Sequence, residues 1–262
     1  MLDPAFVTGA PNWVDLGTPD IDTATAFYHG LFGWELVPGG PETGGYGTYR
    51  LRDRTVAGVM TVPEEQGKPA WSVYFQTPDA DATTRTVEQA GGRAMFPPLD
   101  VLDYGRMGGF TDSAGAYFGV WQPGMNSGLG IIMEPGALIW SELRTPDVPA
   151  AAAFFHTVFG WQTEAMAYPS GSYTMVRPAD GEGADSSFGG IVPLDEAPGQ
   201  EPAGPHWLPY FAVDDADATA AGAERLGGRV VMAATDVPQV GRIATLTDPA
   251  GAAFAVIKPA PM

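Results

Sequence analysis

WVDLGTPDIDTATAFYHGLFGW, residues Trp13–Trp34, returns as WSELRTPDVPAAAAFFHTVFGW at Trp140–Trp161. The second stretch starts 127 residues after the first, no gap is needed to align them, and 12 of the 22 positions are identical. Self-similarity at a fixed spacing is typical of a repeated structural unit. The chain therefore contains a duplication, and the rest of the sequence can be compared half against half.

A second pair of stretches extends the repeat. WSVYFQTPDADAT at Trp71–Thr83 matches WLPYFAVDDADAT at Trp207–Thr219, with an offset of 136 residues that holds as far as Phe118 and Phe254. The nine extra residues of the second half fall within Asp180–Pro205, which is rich in Gly, Pro and acidic residues. The pattern predicts two tandem domains, residues 1–125 and 138–262, joined by a linker at residues 126–137.

Each half divides again into two modules. After Asp20, apolar residues recur at the spacing of one helix face. Asp20 is predicted to be the N-cap because its carboxylate can accept hydrogen bonds from the free amide groups of the first turn, and Gly33 is placed to end the helix. Each quarter of the chain reads as a strand, a helix and about three strands, which predicts an α+β fold of four βαβββ modules. In the first half the later strands are expected at Gly47–Leu51, Thr55–Thr61, Arg106–Thr111 and Tyr117–Trp121.

The composition excludes several classes of function. The 262 residues carry a formal net charge of −18, and an acidic surface repels nucleic-acid phosphates and anionic lipids. The chain has no cysteine, so disulfides, thiolate metal sites and cysteine nucleophiles are absent. No run of 18 apolar residues and no leader-like start are present, so we expect a cytoplasmic protein that binds neither nucleic acid nor membranes.

The motifs resemble those of the vicinal-oxygen-chelate superfamily, which includes glyoxalase I, extradiol dioxygenases and bleomycin resistance proteins. The resemblance rests on the strand leading into Thr-Pro-Asp, the helix ending in Phe-Gly-Trp, and a later Gly-Arg-x4-Thr-Asp-x2-Gly-Ala-x-Phe. The tandem arrangement is similar to that of two-domain proteins from actinomycetes that are named as hydroxylases or glyoxalase-like antigens, some of them in antibiotic gene clusters. It implies paired βαβββ modules, each pair curling a sheet around a cup.

The catalytic members of this superfamily hold a divalent metal in the cup with His, Glu and Gln ligands. None of the residues mapped to those positions can ligate a metal. The mapped positions are Trp13, Trp71–Ser72 and Gly119 in the first half, and Trp140, Trp207–Leu208 and Ala255 in the second. We therefore predict no metal and no other cofactor.

Four tryptophans stand at the four module starts: Trp13, Trp71, Trp140 and Trp207. The mapping to the ligand positions implies that these indoles face into the cups, where they suit a flat apolar ligand; the alternative is core packing. Asp15 and Glu142 lie two residues after a tryptophan and so share its face. A carboxylate in an apolar cup has a raised pKa and can serve as a general base or acid. An ion pair or a wet strand edge is the alternative.

Arginines and tyrosines complete the candidate site. Arg106 and Arg242 follow a glycine at the start of a strand, and either pair with carboxylates structurally or orient a ligand. Tyr49 and Tyr173 lie in matching strands and are secondary candidates for the pocket.

The first functional hypothesis is a metal-independent binding protein for an aromatic or polycyclic metabolite, with an accessory or resistance role in a natural-product pathway and a biosynthetic enzyme as its partner. The alternative is an enzyme, a lyase, isomerase or hydroxylase, which uses Asp15 or Glu142 as a base or has an atypical metal site. A third reading is an interaction module whose cups are filled by their own tryptophans. Because duplication can replace a dimer, we expect a monomer.

Overall fold

The computed structural model describes residues 7–63, 65–168, 171–181, 186–194 and 204–261, with backbone only at 167, 168, 171 and 172. The stretch Asp180–Pro205, which carries the nine extra residues, lies partly outside the described residues. Among the described residues, no helix is long and apolar enough to cross a membrane.

The first half forms one eight-stranded mixed sheet with two helices. The strand order is β2-β3-β4-β1-β5-β8-β7-β6, so the two βαβββ modules pair side by side within this half, through antiparallel β1 and β5. The elements are β1 (Pro11–Thr18), α1 (Ile21–Phe32), β2 (Glu35–Val37), β3 (Gly47–Leu51), β4 (Arg54–Thr61), β5 (Ala70–Gln76), α2 (Ala80–Gln89), β6 (Arg93–Val101), β7 (Gly105–Thr111) and β8 (Tyr117–Pro123), with a 3-10 turn at Pro41–Thr43.

The second half repeats this architecture. Its strand order, β10-β11-β12-β9-β13-β16-β15-β14, is that of the first half element for element. The elements are β9 (Leu138–Thr145), α3 (Val148–Phe159), β10 (Gln162–Tyr168), β11 (Gly171–Arg177), β12 (Gly189–Pro193), β13 (His206–Ala212), α4 (Ala216–Arg225), β14 (Arg229–Val237), β15 (Gly241–Thr247) and β16 (Ala253–Pro259). The predicted α+β class, with four βαβββ modules in tandem, is confirmed.

Capping residues mark the ends of the helices. Asp20 accepts a hydrogen bond from the Thr23 amide at 3.0 Å, and Gly33 ends α1 in the left-handed region with φ of 74°. An aspartate caps the other three helices in the same extended conformation: Asp79, Asp147 and Asp215. The predicted N-cap and C-cap of α1 are thus confirmed, and the N-cap device recurs in all four modules.

The two halves pack against each other as a dimer would, with reciprocal contacts. The indole of Trp34 donates to the Gly136 carbonyl at 2.8 Å, and the equivalent Trp161 donates to the Gly9 carbonyl at 2.8 Å. Gly9 and Gly136 are equivalent in the repeat, as are Trp34 and Trp161, so the same contact is made twice with the halves exchanged. Reciprocal contacts of this kind are typical of a two-fold interface. The helix-bearing faces of both sheets consequently share one apolar core.

The connection between the halves is part of this core. Leu129 and Ile131 are buried, and the Leu129 amide donates to the Asn12 carbonyl at 3.0 Å. Glu134 forms ion pairs with Arg52 and Arg54. The connection therefore lies as a strap along the first half. The opposite face of each sheet, which carries Trp13 in the first half and Trp140 in the second, is here called the cup face.

Candidate functional site

The cup face of the first half is centred on β1 and β5. Trp13 lies opposite Tyr74, and Asp15 lies opposite Ser72. Because side chains alternate along a strand and directly opposed residues point the same way, these four share one face. Val14, between Trp13 and Asp15, points into the shared core and is fully buried.

A chain of hydrogen bonds ties this face together. The Trp13 indole N–H donates to the Tyr46 hydroxyl at 2.7 Å, and that hydroxyl donates to Asp15 Oδ2 at 3.1 Å. The hydroxyl groups of Tyr74 and Ser72 also hydrogen-bond to the Asp15 carboxylate. The first quartet, defined as Trp13, Asp15, Tyr46 and Tyr74, therefore has its carboxylate at the centre.

The same arrangement recurs in the second half at the offsets of the repeat. The Trp140 indole donates to the Tyr173 hydroxyl at 2.7 Å. The hydroxyl groups of Tyr173 and Tyr210 hydrogen-bond to Glu142. Trp140, Glu142, Tyr173 and Tyr210 form the second quartet. Two copies of one constellation, held by the same bonds, make the quartets the best-defined polar sites of the two cups.

Small residues hold the quartet tyrosines in place. A Cβ atom at Gly58 would lie within contact distance of the Tyr46 hydroxyl, and one at Gly119 would overlap the ring of Tyr74. At Gly190, a Cβ atom would overlap the ring of Tyr173. Glycine is therefore required at these strand positions so that the tyrosine rings can lie flat on the sheet.

The first quartet holds a carboxylate without a cation. Asp15 is 4% exposed and forms no ion pair with any residue in the described part of the chain. Burial raises the pKa of Asp15 from 3.8 to about 6, although hydrogen bonds from Tyr74, Tyr46 and Ser72 oppose the shift. Burial, reinforced by the nearby Asp15 charge, raises the pKa of Tyr46 and Tyr74 well above 10, so both remain proton donors.

The second quartet differs in its electrostatics. Arg144, 1% exposed, contacts Glu142 with Nε and Oε1 3.1 Å apart. The residue equivalent to Arg144 in the first half is Gly17, and Leu208 replaces Ser72. Leu208 and Tyr210 belong to an apolar cluster with Ala255 and its neighbours on the cup face. In the second cup the carboxylate is therefore ion-paired, and a cluster of apolar side chains lies beside it.

The first cup carries exposed apolar side chains towards its edges. Met60 and Leu99 are 40% and 44% exposed. Met60 is level with Gly17 in the β1–β4 pairing, and Leu99 lies opposite the half-buried Met107 in the β6–β7 pairing. Trp121 also faces the cup, and its indole donates to the Asn126 carbonyl at 2.8 Å. The exposed Met60 and Leu99 side chains and the buried Trp121 thus lie on the same face of the sheet as the first quartet.

Two of the four predicted cup tryptophans face the other way. Trp71 lies opposite Leu16 and Trp207 lies opposite Leu143, both buried core residues. The Trp71 ring is 5.3 Å from the ring of Phe211, across the interface between the halves. The predicted orientation of Trp71 and Trp207 is therefore wrong by one residue of strand register, which moves a side chain to the opposite face. Trp13 and Trp140 do face the cups.

The tyrosine pair is also corrected. Tyr49 points into the core, where its hydroxyl lies 3.2 Å from that of Thr25. The structural counterpart of Tyr173 is Tyr46, which the sequence reasoning missed. Subtracting the repeat offset of 127 residues from Tyr173 gives Tyr46, so the sequence contained the signal that identifies it.

The two arginines lie on the helix side of the sheets. Arg106 contacts Asp81 and Asp100 at 3.1 and 2.9 Å, and Arg242 contacts Asp217 at 2.6 Å and also pairs with Asp236. Asp81 and Asp217 belong to the first turns of α2 and α4. The structural ion pair, one of the two readings considered for these arginines, is the one observed, and neither guanidinium lies with a quartet.

The side chains do not fit the metal site that the resemblance implies. On the cup face, the mapped ligand positions hold Trp13, Ser72 and Gly119 in the first half, with Trp140, Leu208 and Ala255 in the second. No imidazole stands among them, and each quartet offers a single carboxylate. The described part of the chain contains no group of three or more His, Cys, Asp or Glu residues placed to hold a metal ion. This donor set differs from the two-His-plus-carboxylate type.

Comparison with known proteins agrees with this architecture. The family model for the glyoxalase/bleomycin resistance protein/dioxygenase superfamily matches residues 10–120, and that for a glyoxalase-like domain matches residues 140–257. The chain belongs to this superfamily, as a tandem two-domain member.

Relatives cover nearly the whole chain. "Putative glyoxylase CFP32" of Mycobacterium tuberculosis is 41% identical over 97% of this chain and 96% of its own length. "Anthracycline biosynthesis protein DnrV" of Streptomyces peucetius is 38% identical over 97% of this chain and 94% of its own. The Mn(II)-bound glyoxalase of Novosphingobium aromaticivorans is similar in fold, with a TM-score of 0.64 at 16% identity over 98% of this chain and 90% of that one.

Proposed function

We propose that this protein binds a planar aromatic or polycyclic metabolite on the cup face of its first half, without a metal. The observation that carries the proposal is the first quartet, in which a buried carboxylate lies among aromatic rings, has no counter-ion among the described residues, and shares its sheet face with exposed apolar side chains. Ligand sites of small molecules combine such apolar walls with a few convergent polar groups.

The chemistry of the quartet suits a ligand with a hydroxyl group. Three hydroxyl donors bond to the Asp15 carboxylate, so a ligand hydroxyl can donate to its remaining lone-pair site, while the exposed side chains of Met60 and Leu99 provide apolar contacts. The name of the S. peucetius relative associates it with anthracyclines, which are polycyclic aromatic compounds. That association supports an accessory or resistance role for this chain, with a biosynthetic enzyme as partner. The shared core of the two halves supports a monomer.

The second cup is proposed to be closed. The Glu142–Arg144 pair satisfies its carboxylate, and Leu208, Tyr210 and Ala255 occupy the adjoining cup face. We therefore expect one ligand per chain.

Titration of tryptophan fluorescence with 1,4-dihydroxyanthraquinone tests the proposal. We expect binding of one equivalent, with the affinity reduced about tenfold or more in Leu99→Asp, because a charge then faces an apolar ligand. Trp13→Phe removes the indole N–H and should also weaken binding. Trp140→Phe, the matched change in the second half, should leave the affinity unchanged. No saturable binding, or equal effects of the two tryptophan variants, would contradict the proposal.

A second candidate function is proton transfer by Asp15. A carboxyl group with a pKa of about 6 is poised near neutral pH, where a general base is most effective. On this reading Asp15→Asn abolishes turnover of a bound substrate and changes its affinity little, and the rate rises with pH through about 6. If Asp15→Asn weakens binding and no turnover of any bound compound is found in the wild-type protein, the enzyme reading is wrong.

A further inference from the structure

The two halves differ at one position next to the quartet carboxylate. In the second half, Arg144 lies two residues after Glu142 on the same face of β9 and places its guanidinium against the carboxylate. In the first half, the residue two positions after Asp15 is Gly17, so this position of the repeat supplies no cation. The equivalent carboxylates of the two halves therefore differ: Glu142 has an arginine of the same strand beside it, and Asp15 has a glycine at that position.

The environment of Asp15 favours a cationic partner. A carboxylate has about four lone-pair sites, and three donors, Tyr46, Tyr74 and Ser72, already bond to Asp15. All three donors are neutral hydroxyl groups, so the negative charge stays uncompensated. Burying an unpaired charge is unfavourable, and a cation at hydrogen-bond distance would relieve it. The surrounding rings of Trp13 and Tyr74 would add cation–π attraction.

We propose that the first cup accepts an organic cation, an ammonium or guanidinium group of the ligand, at the place that corresponds to the Arg144 guanidinium in the second half. This inference rests on the proposed function and specifies its ligand: a planar aromatic compound that carries a basic group.

The geometry allows this placement. Gly17 is half-buried whereas Asp15 is buried, so the sheet is partly open to solvent beside the carboxylate. Asp15 is one methylene shorter than Glu142 and Gly17 has no side chain, which leaves more room between them and the ligand. Val62 borders the place, with Cγ2 3.0 Å from where a Cβ atom of residue 17 would lie. Its side chain shifts by a few tenths of an ångström, on the order of thermal motion, when the place is filled.

The test compares 2-(aminomethyl)anthraquinone with its N-acetyl derivative, which has the same ring system and no charge, by calorimetric titration of the full chain. We expect the amine to bind about tenfold to a hundredfold more tightly, the range that a charge-assisted hydrogen bond contributes. In Gly17→Arg the built-in cation should remove this preference. Asp15→Asn should also remove the preference for the amine. Because this change adds no volume, Asp15→Asn provides the test if the Gly17→Arg variant does not fold.

The control separates the site from the overall charge of the protein. A chain of net charge −18 attracts any cation, so Asp103→Asn, which removes an exposed carboxylate from the β6–β7 turn, should leave the preference unchanged. Equal binding of the amine and the acetamide would overturn the cation inference and leave aromatic binding intact. Failure of both compounds to bind would overturn both. A preference that persists in Asp15→Asn would also contradict the inference.

Discussion

A hydroxyl group that one half has and the other lacks offers a sharp test of the shared core. Tyr28 accepts a hydrogen bond from the Trp71 indole at 3.0 Å and donates one to Asp248 Oδ2 at 3.3 Å. All three residues are buried, and Asp248 lies in the other half of the chain. This single hydroxyl therefore satisfies a buried donor and a buried acceptor across the interface.

Its counterpart in the second half is Phe155, which cannot do the same. The Phe155 ring stacks on Trp161 much as Tyr28 stacks on Trp34, with interplanar angles of 19° and 20°. Trp207 Nε1 and Asp112 Oδ2, the equivalents of the two groups that Tyr28 satisfies, are buried without a hydrogen-bond partner among the described residues. The Phe155 ring therefore occupies the position equivalent to that of the Tyr28 ring but lacks the hydroxyl group.

Exchanging these two residues should change stability in opposite directions. Tyr28→Phe leaves two buried groups unsatisfied at about 1–3 kcal/mol each, so we expect a loss of about 2–6 kcal/mol. Phe155→Tyr supplies the missing hydroxyl to Trp207 and Asp112. We expect a gain of about 1–2 kcal/mol, because the added oxygen must be packed and offsets part of the benefit.

Urea denaturation followed by tryptophan fluorescence measures both changes. Because the halves share one core, a single cooperative transition is expected, and its slope should be the same in all variants. The double variant should fall close to the sum of the single changes. A loss below about 0.5 kcal/mol in Tyr28→Phe, together with a destabilised Phe155→Tyr, would refute the reasoning.

Three further predictions concern the quartets. The pKa of Asp15 is raised from 3.8 to about 6, so ionisation of this group disfavours the folded state. The stability of Asp15→Asn relative to wild type should therefore rise by about 2–3 kcal/mol between pH 4 and pH 8, measured by denaturation at each pH, and a pH-independent difference would contradict the assignment. Gly119→Ala should lose about 1–3 kcal/mol in the same assay because its Cβ atom overlaps the Tyr74 ring, and an unchanged midpoint would argue against that packing. Arg144→Met leaves Glu142 charged, buried and without its cation and should lose about 3–5 kcal/mol, most of which Glu142→Leu should restore in the double variant; no recovery would show that the pair is not the cause.

The repeat made most of the fold predictable. The constant offsets identified two halves, and the helical spacing after Asp20 located α1 and both of its caps. The expected strand Gly47–Leu51 matches β3 residue for residue. Sequence reasoning left open whether the modules pair within or between halves, because that depends on contacts between distant strands. The structure pairs them within each half.

The site was predictable only where strand register could be read. Asp15 and Glu142 face the cups because each lies two residues after a tryptophan that does. Trp71 and Trp207 were assigned from a pattern whose register was uncertain by one residue, and one residue reverses the face. Their burial against Leu16 and Leu143 follows from cross-strand pairing, which local sequence does not encode.

The sequence shows a glycine in one half where the other half has an arginine, but it does not show what that difference does. Gly17 and Arg144 occupy the same place in the repeat. Only the contact between Arg144 and Glu142 shows that this place decides whether the carboxylate is neutralised.

Metal loading decides whether the first cup binds its ligand without a metal. The protein is treated with EDTA and titrated calorimetrically with 1,4-dihydroxyanthraquinone. Separate samples are then incubated with Fe(II), Zn(II), Ni(II) or Mn(II), desalted, analysed for metal by plasma mass spectrometry and titrated in the same way. We expect one equivalent of ligand at the same affinity in every sample, with less than about a tenth of an equivalent of metal retained after desalting. Binding that appears only with a metal, or tight retention of about one or two metal equivalents, would contradict it.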